Sequence, residues 1–195
     1  VTNDYDGQTR SGLTPVDIGA DAGNFVGADL TGPVITYTPL GGTCTLTGVT
    51  LTATITDAGS GVPTSGAGLP RLYWNVNGGA YSAVTGSFVS GNTYTFGPFG
   101  SGVVSDIIRY YVVAQDGAGT PNVTSNPAVG ASGFTANPPA ASTPPTTPSQ
   151  FSLQSSIGGT YTVGSGGNYA TITAAVAAYN TSCLTSAVVF NLIDA

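Results

Sequence analysis

Acid–base chemistry in this chain can rest on very few residue types. Nine aspartates are joined by no glutamate, and Arg10, Arg71 and Arg109 by no lysine or histidine. Without His or Lys the commonest general bases near neutral pH are missing. Catalysis would have to depend on Asp, Tyr, Ser, Thr or Cys. Paired carboxylates can hydrolyse glycosides, but one of the two needs a pocket that raises its pKa. Asp4, Asp6, Asp17, Asp57 and Asp116 all stand in or beside Gly-rich stretches that read as loops. The expectation is therefore no catalytic and no cofactor-binding residue. Asn3, Asp4, Asp6 and Gly7 match half of a calcium loop. The full pattern requires a further Asp or Asn and a distant Glu, and Glu does not occur. A structural reading competes with calcium at Asp4 and Asp6: Asp6 or Asp17 pairs with Arg10 and locks a turn. Asp57 and Asp116 are expected to cap turns with their carboxylates rather than to hold a metal.

Charge narrows the partners further. A net charge of −6 carried against three cations leaves no footprint for nucleic acid, whose phosphates call for clustered Lys and Arg. An anionic membrane would repel the same surface. The chain starts at Val1 without a signal peptide, and its apolar runs are too short to span a bilayer, so it reads as an internal or processed segment of a longer protein. Low charge, abundant Thr and Gly, and Asn-x-Thr/Ser at Asn122 and Asn180 fit an extracellular setting. Cys44 and Cys183 permit one disulfide. Pairing with each other, pairing with other cysteines and no pairing all stay open. Tyr5, Tyr37, Tyr73, Tyr81, Tyr94 and Tyr111 offer flat faces to sugar if they form an exposed coplanar row, and pack across strands if they do not.

The elements that would position these groups are mostly strands. With 41% apolar residues, 29 Gly and 13 Pro, the chain is too apolar for disorder, and its glycines and prolines punctuate alternating apolar runs. Val34–Thr38 is a short strand. Within 44–56, Leu51, Ala53 and Ile55 fall on one face and Thr50, Thr52, Thr54 and Thr56 on the other, as a half-buried strand requires. Leu72, Trp74 and Val76 alternate with Tyr73 and Asn75 before a hairpin signal at Asn77-Gly78-Gly79. Further strands are expected at 81–84, 87–96, 107–115 and 132–136. Seven short strands in roughly 105 residues match a β-sandwich, with Trp74 as its core anchor.

Residues 137–150 hold five prolines and predict an extended polyproline spacer. Beyond it, Ile157–Val163 is strand-like. Tyr169, Ile172, Val176 and Tyr179 lie at helical spacing within 168–180, where Asn168 is the expected N-cap. Ala187–Ile193 is apolar on both faces and demands cover on both, which nothing following it in the chain supplies.

Three groups of residues carry a family resemblance. Asp4-Tyr5-Asp6-Gly7-Gln8-Thr9-Arg10 with Val16-Asp17-Ile18-Gly19-Ala20 resembles the signature that closes right-handed parallel β-helices, although Asp21-Ala22-Gly23 replaces the usual aromatic and Glu. Gly159–Gly164 with Asn168–Val176 is similar to the cap that opens such a β-helix. Leu72–Gly79 and Tyr110–Asp116 resemble bacterial immunoglobulin-like or fibronectin-like modules. Together they resemble modular cell-surface adhesin-like proteins of Bacteroidetes exported by type IX secretion. The resemblance implies an all-β fold: a β-helix closing piece at 1–27, an immunoglobulin-like sandwich at 28–137, a Pro-rich spacer at 138–156 and the cap of a second β-helix at 157–195. It also implies a structural or adhesive role that spaces and displays neighbouring modules. Stacked coils cannot bury their faces in isolation, so other modules of the polypeptide or further copies must supply partners. Separate copies would build a head-to-tail filament. A carbohydrate-binding module, or the non-catalytic part of a polysaccharide-degrading β-helix enzyme, is the alternative, with surface polysaccharide as its partner.

Overall fold

The structure is a computed structural model that describes residues 27–193. The chain divides into two compact units, residues 1–30 and 31–195, and the second carries all the elements below. The sequence expectations for Asp4, Asp6, Arg10 and Asp17, and for a closing piece at 1–27, fall outside the described residues but for residue 27.

The described chain is all-β with one short helix. Strands β1 (Val34–Thr36), β2 (Val49–Thr56), β5 (Ser87–Ser90) and β6 (Thr93–Phe99) form an antiparallel sheet in the order β1-β2-β6-β5. A second antiparallel sheet runs β11-β7-β3-β4, built from β3 (Arg71–Val76), β4 (Ser82–Thr85), β7 (Ile107–Gln115) and β11 (Ser149–Ser152). Strand β8 (Val123–Asn126) also pairs with β7, beyond β11 along its length. One core serves both sheets. Leu51, Ala53 and Ile55 of β2 meet Tyr94, Phe96 and Phe99 of β6, Leu72 of β3, and Ile108, Tyr110, Val112 and Ala114 of β7. The alternation in β2 therefore does what its period of two dictates: Ile55 is fully buried and its Thr neighbours face outward. Asn77 and Gly78 both adopt positive φ, 51° and 79°, in the turn that sends β3 back into β4. At Gly97 (φ 140°) a Cβ would lie 2.7 Å from the Val49 carbonyl, so only glycine admits the bulge by which β2 and β6 change register.

Two expectations need correction. Trp74 is half-buried at the core margin, its ring centroid 6.5 Å from that of Phe99; the centre belongs to Tyr94, Tyr110, Phe96 and Phe99. Residues 138–156 are also no free-standing spacer. Strand β10 (Ala140–Thr143) closes a hairpin with β9 (Ser132–Thr135), and β11 adds an edge to the second sheet through Phe151 opposite Ile108. The reason is geometric: prolines are tolerated at strand ends and edges, and their extended backbone is close to that of a β-strand. Here Pro138-Pro139, Pro144-Pro145 and Pro148 fall between the short strands. Phe151 and Leu153, two apart, both enter the common core. The Pro139 carbonyl accepts from Tyr73 OH (2.9 Å), holding this segment against the outer face of the second sheet. As a result β7 is buried on both faces, with Tyr111, Val113 and Gln115 as inaccessible as the core-side residues.

The last elements are β12 (Ser156–Val163), α1 (Ile172–Thr181) and β13 (Cys183–Leu192). β12 and β13 form a two-stranded parallel sheet, separate from the others, from Ser156 opposite Cys183 to Val163 opposite Leu192. Parallel neighbours need a crossover, and the α1 segment supplies it. The helix starts later than its periodicity suggests. Thr171, not Asn168, is the N-cap, its Oγ1 accepting from Ala174 N (3.2 Å). Asn168 instead fastens the preceding loop: its Oδ1 accepts from Thr162 N (2.8 Å), and its own N–H donates to Thr162 Oγ1 (3.0 Å). No helix among the described residues is long and apolar enough to cross a membrane.

Candidate functional site

The apolar residues of β12, α1 and β13, a C-terminal unit within residues 31–195, are not enclosed as those of the two sheets are. Ile157, Val163 and Ala175 are buried, and Phe190 is half-buried within a ring cluster of Tyr161, Tyr169 and Tyr179. The rest of the unit stays open. On α1, Ile172, Val176 and Tyr179 are exposed at i, i+4 and i+7, and on β13 so are Leu184, Val189 and Leu192, the last at 64%. Among the described residues, strand β13 pairs on one side only, with β12. Its other edge meets no strand among the described residues and runs over ten residues that hold no proline and no charge. Sheet edges are normally blunted by Lys, Pro, bulges or short length. The far stretch of β13, Val188–Leu192, has none of these. Parallel sheets are also normally covered on both faces. The geometry is that of an open layer, able to accept a further strand alongside β13 and apolar side chains against either face.

This unit is held firmly to the two-sheet body. Leu153 is in the common core, and only Gln154 and Ser155 separate it from β12. Thr43 N donates to Ser152 O (3.0 Å), and Gln154 N donates to Thr43 O (2.7 Å). One residue on, Cys44 is disulfide-bonded to Cys183, the first residue of β13. Of the three states the sequence left open for these cysteines, the structure has them paired with each other.

The acidic candidates act as turn caps. Asp57 Oδ1 accepts from the backbone N–H groups of Gly59, Ser60 and Gly61 at 2.9–3.1 Å. Asp116 is wholly buried; its Oδ1 accepts from Ala118 N and Asn122 N, and its Oδ2 from Asn122 Nδ2 (2.6 Å). The two loops are joined by Gly117 N donating to Gly61 O (2.8 Å), which brings oxygens of the two carboxylates within 4.8 Å. Both acids therefore sit at one end of the sheets, each held by donors from its own loop. A neighbouring cleft of about 410 Å³ is lined by Gln115, Asp116 and Asn137, and the amide of Gln115 is paired twice with Asn137. Asn122, one of the two sequons, has its side-chain amide engaged by Asp116, whereas Asn180 is exposed on α1.

The tyrosines are mostly structural. Tyr94, Tyr110 and Tyr111 are buried; Tyr73 stacks on Tyr111 at 5.3 Å, and Tyr81 meets Tyr111 edge-on. Burial pushes the Tyr111 phenol up to about 12, with Tyr81 and Tyr73 adding to the effect. Burial likewise pushes Tyr37 up to about 12 against the opposing hydrogen bond with Ser149, and Tyr110 adds to the rise. Among the described residues the large exposed rings are Phe88, Phe134 and Tyr179, one each on β5, β9 and α1.

Sequence reasoning had no signal for several of these features. The Thr43–Leu153 junction joins residues 110 apart through backbone atoms. The docking of α1 with its apolar stripe outward follows from Ala175 being the residue that meets the strands. No protein-family model matches the chain, and no curated protein matches it.

Proposed function

We propose that this chain is a structural, adhesive module of a large secreted cell-surface protein, without a catalytic role of its own. In this reading the two antiparallel sheets are an immunoglobulin-like sandwich, and β12–α1–β13 is the opening layer of a right-handed parallel β-helix. The β13 edge then receives the next parallel strand, from a neighbouring module or from a further copy, and the module spaces and displays its neighbours outside the cell.

The observation that carries the reading is the parallel β12–β13 pair, with exposed apolar faces and an uncharged outer edge that meets no strand among the described residues. A fully enclosed single-sheet layer would not need such a surface, and exposed contiguous apolar residues mark interaction sites. Two further features support it. The acidic residues that could have served hydrolysis, Asp57 and Asp116, accept from loop donors, Asp57 through Oδ1 and Asp116 through both oxygens. The buried tyrosines are engaged by one another rather than laid out for sugar stacking.

The test is a sedimentation series across concentration on the isolated chain. Association is expected, and Val189→Lys, which places a charge on β13, should abolish it while leaving the melting temperature unchanged. A monomer at every concentration that also fails to bind an apolar dye would contradict the reading.

A further inference from the structure

We infer that the Cys44–Cys183 bond is a tension bypass: when the chain is pulled from both sides, force crosses directly from the β1 arm into β13. The residues between the two cysteines are thereby taken out of the force path. The bond closes a sequence separation of 139 across a Cα–Cα distance of 6.0 Å. Every strand from β2 to β12, and α1, lies inside that loop. Of the described elements only β1 and β13 lie outside or at its boundary.

The two outer arms suit this role in different ways. β13 begins at Cys183 itself and is already extended to Leu192. Tension on its far end runs along its own axis to the disulfide, so β13 need not be sheared from β12. The other arm, residues 33–43, is stitched to both sheets. Ile35 of β1 is buried and faces Ile55 of β2, while Asn126 Nδ2 on β8 donates to Ile35 O (2.6 Å). Thr124 Oγ1 donates to Pro33 O, Tyr37 OH donates to Asn126 O (2.9 Å), and Leu40 N donates to Tyr110 OH (2.8 Å). These contacts resist the pull first. If they yield, the slack ends at Cys44 and the core strands stay unloaded. With the bond open, the same pull passes through β2 and every later element in turn. The chain then gains the extended length of the loop, about 460–500 Å at roughly 3.3–3.6 Å per residue.

The use of such a clasp in a surface module rests on the reading above, but its mechanics do not. Optical-tweezers extension of the full chain, handles at its two ends, decides the matter with and without reductant. The reduced chain should release about 460–500 Å more than the oxidised one. Equal released lengths would overturn the bypass. A Cys44→Ser/Cys183→Ser variant should repeat the reduced value; should it not fold, reducing the folded wild-type chain under load gives the same comparison. In the oxidised chain, Ile35→Ala should lower the force that frees β1, and Val163→Ala in β12 should not. A drop for Val163→Ala, or none for Ile35→Ala, would overturn the proposed path. A chain that stays monomeric and binds no apolar dye, yet shows the length difference, would sink the module reading and keep the bypass.

Discussion

The two-sheet body and the β12–α1–β13 unit draw on the same Thr, Ala, Val and Gly, and both contain strands that read as apolar on two faces. They differ in what covers those faces. β7 is enclosed on one side by β2 and β6 and on the other by Tyr73, Tyr81 and the segment around Pro139. β13 has a helix whose only buried residue is Ala175, and an outer edge that pairs with no strand among the described residues. An apolar strand therefore reports a need for cover, and the rest of the fold decides whether that need is met within the chain. In the body it is met; in the C-terminal unit it is left open.

The difference in enclosure is greatest at the two aromatic clusters. Phe99→Ala removes a fully buried ring that touches Trp74, Tyr110 and Phe151, and should cost about 3–5 kcal/mol in denaturant unfolding. The matching change in the open unit, Phe190→Ala, should cost about 1 kcal/mol because its ring is only half-buried. Similar costs would mean that the two regions are equally enclosed.

Removing the clasp tests whether the regions are joined as described. Cys44→Ser/Cys183→Ser should lower stability by about 2–5 kcal/mol, since the loop it closes is long. Alkaline titration sharpens the contrast differently. Tyr37 and Tyr111 keep their protons to about 12 in the folded protein, against about 10 when unfolded. The folded state therefore holds more protons between those values; stability from these groups is full below pH 10 and is lost as pH rises toward 12. Both tyrosines belong to the body, so far-ultraviolet and tyrosinate absorbance should show the body unfolding in that window, and Tyr111→Phe should reduce the alkaline loss. Asp116→Ala, smaller in effect, leaves Ala118 N and Asn122 N without their acceptor and should cost about 1–3 kcal/mol by thermal denaturation.

Much of the body was legible from local pattern. The alternation of Leu51, Ala53 and Ile55, the Asn77-Gly78 turn and the apolar run 107–115 each carry their own periodicity or turn chemistry, and each forms the expected element. What escaped was set by distant contacts. Val123–Asn126 is a strand because β7 offers it a ladder, and its four residues have no period of their own. β10 and β11 were hidden by prolines that only punctuate them. Trp74 lost the centre of the core to Phe99 and Tyr110 because neither ring could be ranked without knowing which strands oppose it. Asn168 precedes an apolar stripe and reads as a cap, yet the loop claims it first. The cysteine pairing depended on a junction between Thr43 and Leu153 that leaves no trace in spacing.

The claim on which the rest depends is that β13 is an edge awaiting a parallel neighbour. Residue-resolved amide hydrogen exchange on the dilute chain tests it most directly. β7 amides should be protected throughout, while every second amide of β13, those pointing away from β12, should exchange rapidly and gain protection as concentration rises. Uniform protection of β13 in a dilute monomer would contradict the account.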